Sequence, residues 1–240
     1  RLLFPEPQSP STPIVSGSGA EATVFGVIYT WFRRSRTLES DALETLQALA
    51  AQAERVLEHV ALQERVRYRA LHDGLTGLPN RHYFEERVQQ CLRGAHRTGA
   101  SCGVIFLDLD GFKPINDLFG HATGDAVLSE VARRLQECGR GGDTVARLGG
   151  DEFVIAVESI DDRGLARLAS RVSERLRAPL EGAAAGFPLS ASIGAILCRP
   201  VAGMLPQAGE LIADADAAMY AAKQQGKDQI VIREWAPARR

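Results

Sequence analysis

The run Gly103-Val104-Ile105-Phe106-Leu107 ends abruptly in Asp108-Leu109-Asp110, and it constrains the fold more tightly than any other stretch of the chain. A near-continuous apolar run of this length reads as a central strand covered on both faces, because a strand with one wet face alternates instead. Carboxylates at its end are costly to bury without a partner or a metal. In open α/β sheets ligands gather at the carboxyl ends of strands, so the same few residues predict a helix-covered sheet and a place for a ligand. The surrounding pattern agrees. Helical periodicity runs over residues 81–96, 123–138, 163–178 and 208–224, and Leu128, Val131, Leu135 and Cys138 share one face of the second. Strand patterns cover 187–197 and 228–232, and two short ones flank Gly149 and Gly150. Such alternation of helices and strands makes an α/β domain, a sheet with helices.

A second anionic pair, Asp151-Glu152, directly follows Gly149-Gly150 and precedes the β-rich Phe153-Val154-Ile155. A Gly-Gly pair between strands predicts a tight hairpin with positive φ at both central residues, with Asp151 and Glu152 at or beside its tip. If strand geometry begins there, the two side chains point to opposite faces and serve different roles. Acidic groups from neighbouring strands suit a hard divalent cation, which binds through one or two carboxylates plus substrate phosphates; magnesium is the natural candidate. Either cluster taken alone is equally compatible with a solvated turn.

The 240 residues suffice for one large domain or one and a half ordinary ones. With 28 basic and 30 acidic side chains the formal charge is -2, which gives no sign of a nucleic-acid or membrane partner. Cys91, Cys102, Cys138 and Cys198 are too irregularly spaced for a metal site or a disulfide framework, so reduced thiols in a cytoplasmic protein are expected. The apolar stretch Val24 to Phe32 falls far short of the roughly 20 residues of a membrane helix. The chain starts at Arg1 without a signal peptide and reads as a fragment, which leaves membrane attachment of the parent protein open. Residues 1–20 read as a Pro/Ser/Gly-rich loop and Ala22 to Trp31 as a strand. From Ser40 and Asp41 onward Leu43, Leu46, Ala50, Ala53, Leu57 and Val60 fall on one helical face, and the stripe fails at Glu64 and Arg67. That face either packs on its own domain or forms a parallel dimeric coil.

Several separated strings then meet in one resemblance. Asp73-Gly74-Leu75-Thr76-Gly77-Leu78-Pro79-Asn80-Arg81, Asp108-Leu109-Asp110-Gly111-Phe112-Lys113-Pro114-Ile115-Asn116-Asp117, Gly120-His121-Ala122-Thr123-Gly124-Asp125 and Arg147-Leu148-Gly149-Gly150-Asp151-Glu152-Phe153 occur in order. Ser192-Ile193-Gly194 and Ala217-Ala218-Met219-Tyr220-Ala221-Ala222-Lys223 follow them. Together they resemble the GGDEF diguanylate cyclases over roughly Leu71 to Arg233. The resemblance implies a nucleotidyl-cyclase palm, a mostly antiparallel central sheet flanked by helices and preceded by a long helix. Upstream, Glu21 to Arg69 resembles the last strand and helix of a GAF sensor domain. The implied domains are a sensor remnant at 1–37, its helix and linker at 38–71, the GGDEF domain at 72–233 and a tail at 234–240.

By the same resemblance, Asp108, the Leu109 carbonyl and Asp151 match metal-binding positions for Mg2+, with Mn2+ as the alternative. Asp151 also matches the proposed base, and Glu152 stands with it as a catalytic candidate. Asn116 and Asp125 match the readers of the guanine edge, whose donors and acceptors they complement. Lys113 and Lys223 match phosphate contacts, with the backbone N–H groups of Gly111 and Phe112 approaching the same phosphates. Arg140-Gly141-Gly142-Asp143 resembles the product-inhibition string, with Arg140 and Asp143 binding cyclic di-GMP; a plain polar turn is the competing reading. Gly226-Lys227-Asp228 departs from the family's usual Gly-Arg-Asn, and Lys227 keeps the charge without the bidentate fork of Arg. The implied activity condenses two GTP into cyclic di-GMP and pyrophosphate in a homodimer. The alternatives are a catalytically silent module that binds GTP or cyclic di-GMP, and a regulatory domain ahead of a phosphodiesterase.

Overall fold

A computed structural model describes residues 11–16, 23–29, 40–199 and 204–237, with side chains for Asp41, 44–199 and 204–237. The chain divides into two compact units, Arg1–Ala70 and Leu71–Arg240.

In the first unit β1 (Ser11–Ser16) pairs antiparallel with β2 (Thr23–Tyr29), and α1 spans Ser40–Leu71. β1 corrects the expectation of a loop throughout 1–20. Its Pro13 reads as a breaker, yet a strand paired on only one side tolerates a missing N–H. Along α1, Leu46 and Ala50 are buried, whereas Leu57 and Val60 are exposed, as are Leu49, Val56, Leu62 and Val66. Leu43 lies outside the described side chains. The expected apolar face is therefore covered only near its start.

The second unit is built on a five-stranded sheet in the order β4-β5-β3-β6-β7, from β3 (Cys102–Asp110), β4 (Thr144–Gly149), β5 (Glu152–Glu158), β6 (Ser190–Cys198) and β7 (Ile230–Glu234). All pairs are antiparallel except β6 with β7. Every residue of β3 is buried, as its unbroken apolar run requires. Val104 and Phe106 pack under α2 (Arg81–Thr98) and α6 (Ala208–Gln224). Ile105, Leu107 and Leu109 face α3 (Phe112–Phe119), α4 (His121–Cys138) and α5 (Asp162–Leu176). Each fully buried aliphatic side chain contributes roughly 1.5–3 kcal/mol, so this two-sided core dominates stability.

Local signals set the helix ends. Asn80 caps α2 by accepting from the Tyr83 N–H, and Asp161 caps α5 by accepting from Gly164. The periodicity missed α3, because Pro114 reads as a breaker although a proline in the first turn costs no helical hydrogen bond. The four cysteines are buried and form no disulfide. Among the described residues no helix is long and apolar enough to cross a membrane.

Candidate active site

The site grows from the carboxyl end of β3. Side chains alternate along a strand, so Asp108 and Asp110 share the face that carries α2 and α6. Asp108 sits opposite Glu152 on β5 and opposite Ser192 on β6. The Leu109 N–H donates to the Asp151 carbonyl at 3.3 Å, which docks the β4–β5 tip beside β3. Both glycines have positive φ, 143° at Gly149 and 53° at Gly150. The two turn residues are nevertheless Gly150 and Asp151, because an irregularity between Arg147 and Gly149 shifts the tip by one residue. Asp151 thus precedes strand geometry, and the alternation expected for Asp151 and Glu152 does not apply.

Arg147 holds this tip. Its guanidinium donates to the Gly150 carbonyl at 3.0 and 2.7 Å and to Asp73 Oδ1 at 2.9 Å. Asp73 Oδ1 also accepts from the Thr76 N–H at 2.8 Å and the Thr76 hydroxyl at 2.6 Å. One half-buried ionic knot therefore joins the turn at the start of the unit to the hairpin. Burial works against the Asp73 carboxylate, but the Thr76 hydrogen bonds and Arg147 outweigh it and lower its pKa.

Lys223 Nζ lies 2.7 Å from Asp108 Oδ2. Gly194 explains the approach: a Cβ there would sit 2.1 Å from the Met219 nitrogen and 2.2 Å from the Ala215 carbonyl oxygen. The bare backbone of β6 lets α6 lie close, and Lys223 follows one turn beyond Met219. Burial, with the charges of Asp151 and Asp110, raises the Asp108 pKa against the opposing pull of Lys223. Burial also raises Glu152, reinforced by Asp108, Asp216 and Asp151 and opposed by Arg81. Lys223 contacts Asp108 and feels the charges of Asp151 and Asp110 as well, so anionic charge outweighs cationic charge at this end of β3.

A second cluster forms where α3 meets α4. A Cβ on Gly124 would fall 1.9 Å from Asn116 Oδ1, so the missing side chain makes room for Asn116 beside Asp125. Glycine is disfavoured inside a helix, and that local conflict is the sequence signal for this seat. Gly111 turns the chain between β3 and α3 with φ 87°. The first turn of α3, Phe112 and Lys113, carries N–H groups that a helix start leaves without intrahelical partners. Phe112 is buried and Lys113 is exposed.

Two other predicted groups lie in loops. Lys227 is exposed in the loop between α6 and β7. Arg140 and Asp143 close a turn on themselves: the Arg140 N–H donates to Asp143 Oδ2 at 2.8 Å and the Asp143 N–H to the Arg140 carbonyl at 2.9 Å. The turn borders a groove of about 490 Å³ that also touches Tyr83, Arg87 and Gln136. It precedes β4, whose far end is Gly149, so roughly 20 Å of strand separates the groove from the hairpin tip.

Comparison with known proteins identifies the family. The chain matches the family described as diguanylate cyclase, GGDEF domain, over residues 70–229. The chain belongs to the GGDEF family. Its GGDEF domain is 45% identical over 159 residues to the bifunctional diguanylate cyclase/cyclic di-GMP phosphodiesterase MucR of Pseudomonas aeruginosa, covering 66% of this chain and 23% of MucR. It is 39% identical over 189 residues to the diguanylate cyclase TpbB of the same species, covering 78% of this chain and 41% of TpbB. The chain thus spans less than half of either relative. The crystal structure of the coiled coil and GGDEF domain of DgcB from Caulobacter crescentus, in complex with c-di-GMP, superposes with a TM-score of 0.69 at 28% identity. That match covers 80% of this chain and all of the DgcB chain.

Among the described residues no three His, Cys, Asp or Glu side chains group to hold a metal ion by themselves. The donor set that the resemblance implies is two carboxylates, Asp108 and Asp151, and the Leu109 carbonyl. It is all oxygen, which fits a magnesium-like ion that keeps waters and takes its remaining ligands from a phosphate.

Proposed function

We propose that this GGDEF domain is a diguanylate cyclase module that joins two GTP molecules into cyclic di-GMP. The observation that carries the reading is the convergence of Asp108, Asp151, Glu152 and Lys223 at the end of β3. The seating of Asn116 against Gly124, next to Asp125, supports a guanine at the α3–α4 end. Asp125 accepts from guanine N1–H and the exocyclic amine, while the Asn116 amide supplies a donor and an acceptor. Lys113, Lys223, Lys227 and the Gly111 and Phe112 N–H groups face the triphosphate.

In the reaction the 3′-oxygen of one GTP forms a bond to the α-phosphorus of the other, and the bond to pyrophosphate breaks. The step occurs twice per product. Asp151 takes the 3′-hydroxyl proton, and Glu152 keeps the local field negative. Asp108, the Leu109 carbonyl and Asp151 would hold a divalent ion, Mg2+ or Mn2+, which would supply Lewis-acid stabilisation of the developing charge. Each domain binds one nucleotide, so two copies face each other, and the exposed apolar residues of α1 are the surface for pairing. The segment before residue 70 acts as the sensor end, here read as GAF-like. The groove at Arg140 and Asp143 takes the product and holds domains in a non-productive arrangement.

A relative 36% identical over 177 residues, the cyclic di-GMP phosphodiesterase PdeR of Escherichia coli, is named for phosphodiesterase alone, which favours a second reading in which this domain regulates a partner domain without turnover. One experiment separates the two. Purified protein incubated with GTP and Mg2+ forms cyclic di-GMP, detected by mass spectrometry, if the cyclase reading holds; bound but unconverted GTP supports the silent module.

A further inference from the structure

The loop between α6 and β7 holds an unusual backbone. Gly226, Lys227 and Asp228 all have positive φ, at 115°, 62° and 50°. Glycine accepts this freely, but two successive side-chain residues in the left-handed region persist only where the surroundings impose it. Two groups impose it here. Asp110, nearly buried at the end of β3, accepts the Asp228 N–H on Oδ2 at 2.9 Å. Both of its carboxylate oxygens also accept from the Ser192 hydroxyl, at 3.0 and 2.9 Å. From the opposite side, Arg177 at the end of α5 donates through Nε to both Asp228 carboxylate oxygens, at 2.9 and 3.0 Å, and places Nη2 at 2.8 Å from Oδ1. Asp228 is thus gripped at its amide by the strand that carries Asp108 and at its carboxylate by a helix across the sheet.

Lys227 is the residue this grip leaves free. It is exposed and makes no hydrogen bond or ion pair with the described residues, while Lys223, four positions earlier, is bound to Asp108. An ammonium on a flexible stem gives up less entropy on binding when its backbone is already set.

We infer that Asp110 and Arg177 are positioning residues that clamp Asp228 and so present Lys227 to the nucleotide triphosphate. The inference rests on the cyclase reading, in which Lys227 faces the phosphates. It also assigns the two acids of Asp108-Leu109-Asp110 separate tasks: Asp108 toward the ion and phosphate, Asp110 toward the loop. Where an arginine at position 227 would grip phosphate through a planar fork, this chain uses a point charge held by an aimed backbone.

Arg177 is the variant of choice, since its side chain and that of Asp228 are each more than 40% exposed, at 47% and 42%, and the fold survives its loss. Binding of a non-hydrolysable GTP analogue with Mg2+ is measured by calorimetry on the full chain. The comparison covers wild type, Arg177→Ala, Arg177→Lys, Lys227→Ala and the Arg177→Ala/Lys227→Ala double variant. Arg177→Ala and Lys227→Ala each lose about tenfold in affinity, equivalent to ~1.4 kcal/mol. The double variant binds no more weakly than Lys227→Ala, because Arg177 acts through Lys227, and Arg177→Lys recovers part of the loss. Wild-type affinity in Arg177→Ala overturns the clamp, and so do losses that multiply in the double variant. Turnover is followed separately: a wild type that binds the analogue but forms no cyclic di-GMP refutes the cyclase reading, while the clamp is judged on binding alone.

Discussion

Replacing Gly194 with alanine tests how the sheet sets the position of Lys223. The new methyl would lie 2.1 Å from the Met219 nitrogen, 2.2 Å from the Ala215 carbonyl oxygen and 2.7 Å from the Ala218 carbonyl carbon. All three are backbone atoms of α6, so no side chain can rotate away. Restoring an ordinary contact requires α6 to retreat by about 1 Å along its length, which loosens Leu211, Ala215 and Met219 against the sheet. Overpacking of a core costs about 1–3 kcal/mol, and the rigidity of the obstacle places this case at the upper end. Gly194 has no positive φ, so alanine recovers roughly 0.4–1 kcal/mol from the unfolded chain. A net loss of about 2 kcal/mol lowers the melting temperature by roughly 4–8 °C in a domain of this size. The retreat also lengthens the 2.7 Å contact between Lys223 and Asp108, so GTP affinity falls together with stability. Calorimetric melting and nucleotide titration on the same sample read both effects. A Gly194→Ala protein that melts within about 1 °C of wild type would refute the steric argument.

Four further outcomes are expected. Asp151→Asn leaves the fold intact and reduces cyclic di-GMP formation more than tenfold, a barrier increase above about 1.4 kcal/mol, measured as initial rate at saturating GTP. ATP is turned over at least about 100-fold more slowly than GTP, because Asn116 and Asp125 are left unpaired by adenine; comparable rates would remove the α3–α4 pocket from the mechanism. Cyclic di-GMP slows the wild-type enzyme and not Arg140→Ala, and equal sensitivity of the two would leave the Arg140–Asp143 segment a simple turn. Asp73 has a folded-state pKa below its ordinary value of 3.8, so its stabilisation is present above that value and lost as pH falls through the folded one. Asp73→Asn therefore lowers the melting temperature at pH 7 and flattens the acid limb of a stability-against-pH curve, whereas a parallel curve would show the knot with Arg147 to be inert.

The sequence by itself determined the elements whose pattern is local. The unbroken apolar run of β3, the 3.6-residue periodicity of α4 and α6 and the glycines of the β4–β5 tip each report their own backbone, so they were legible without neighbours. The family strings named the acidic positions Asp108, Asp151 and Glu152 and the cations Lys113, Lys223 and Lys227. Tertiary structure alone decided what those groups touch. Nothing in the spacing of Asp108, Leu109 and Asp110 says that the first meets Lys223 and the third meets Ser192 and Asp228, since those partners lie 82 to 118 residues away and arrive through strand register and helix docking. The one-residue shift of the turn to Gly150-Asp151 likewise follows from an irregularity opposite β5 that no single-strand pattern contains. Arg147 and Asp73 carried no periodic signal, yet they pin the hairpin across 74 residues of chain. Periodicity records which face of an element is buried, whereas a polar site is made by which elements meet, and only the folded packing of β3, β6, α5 and α6 sets that.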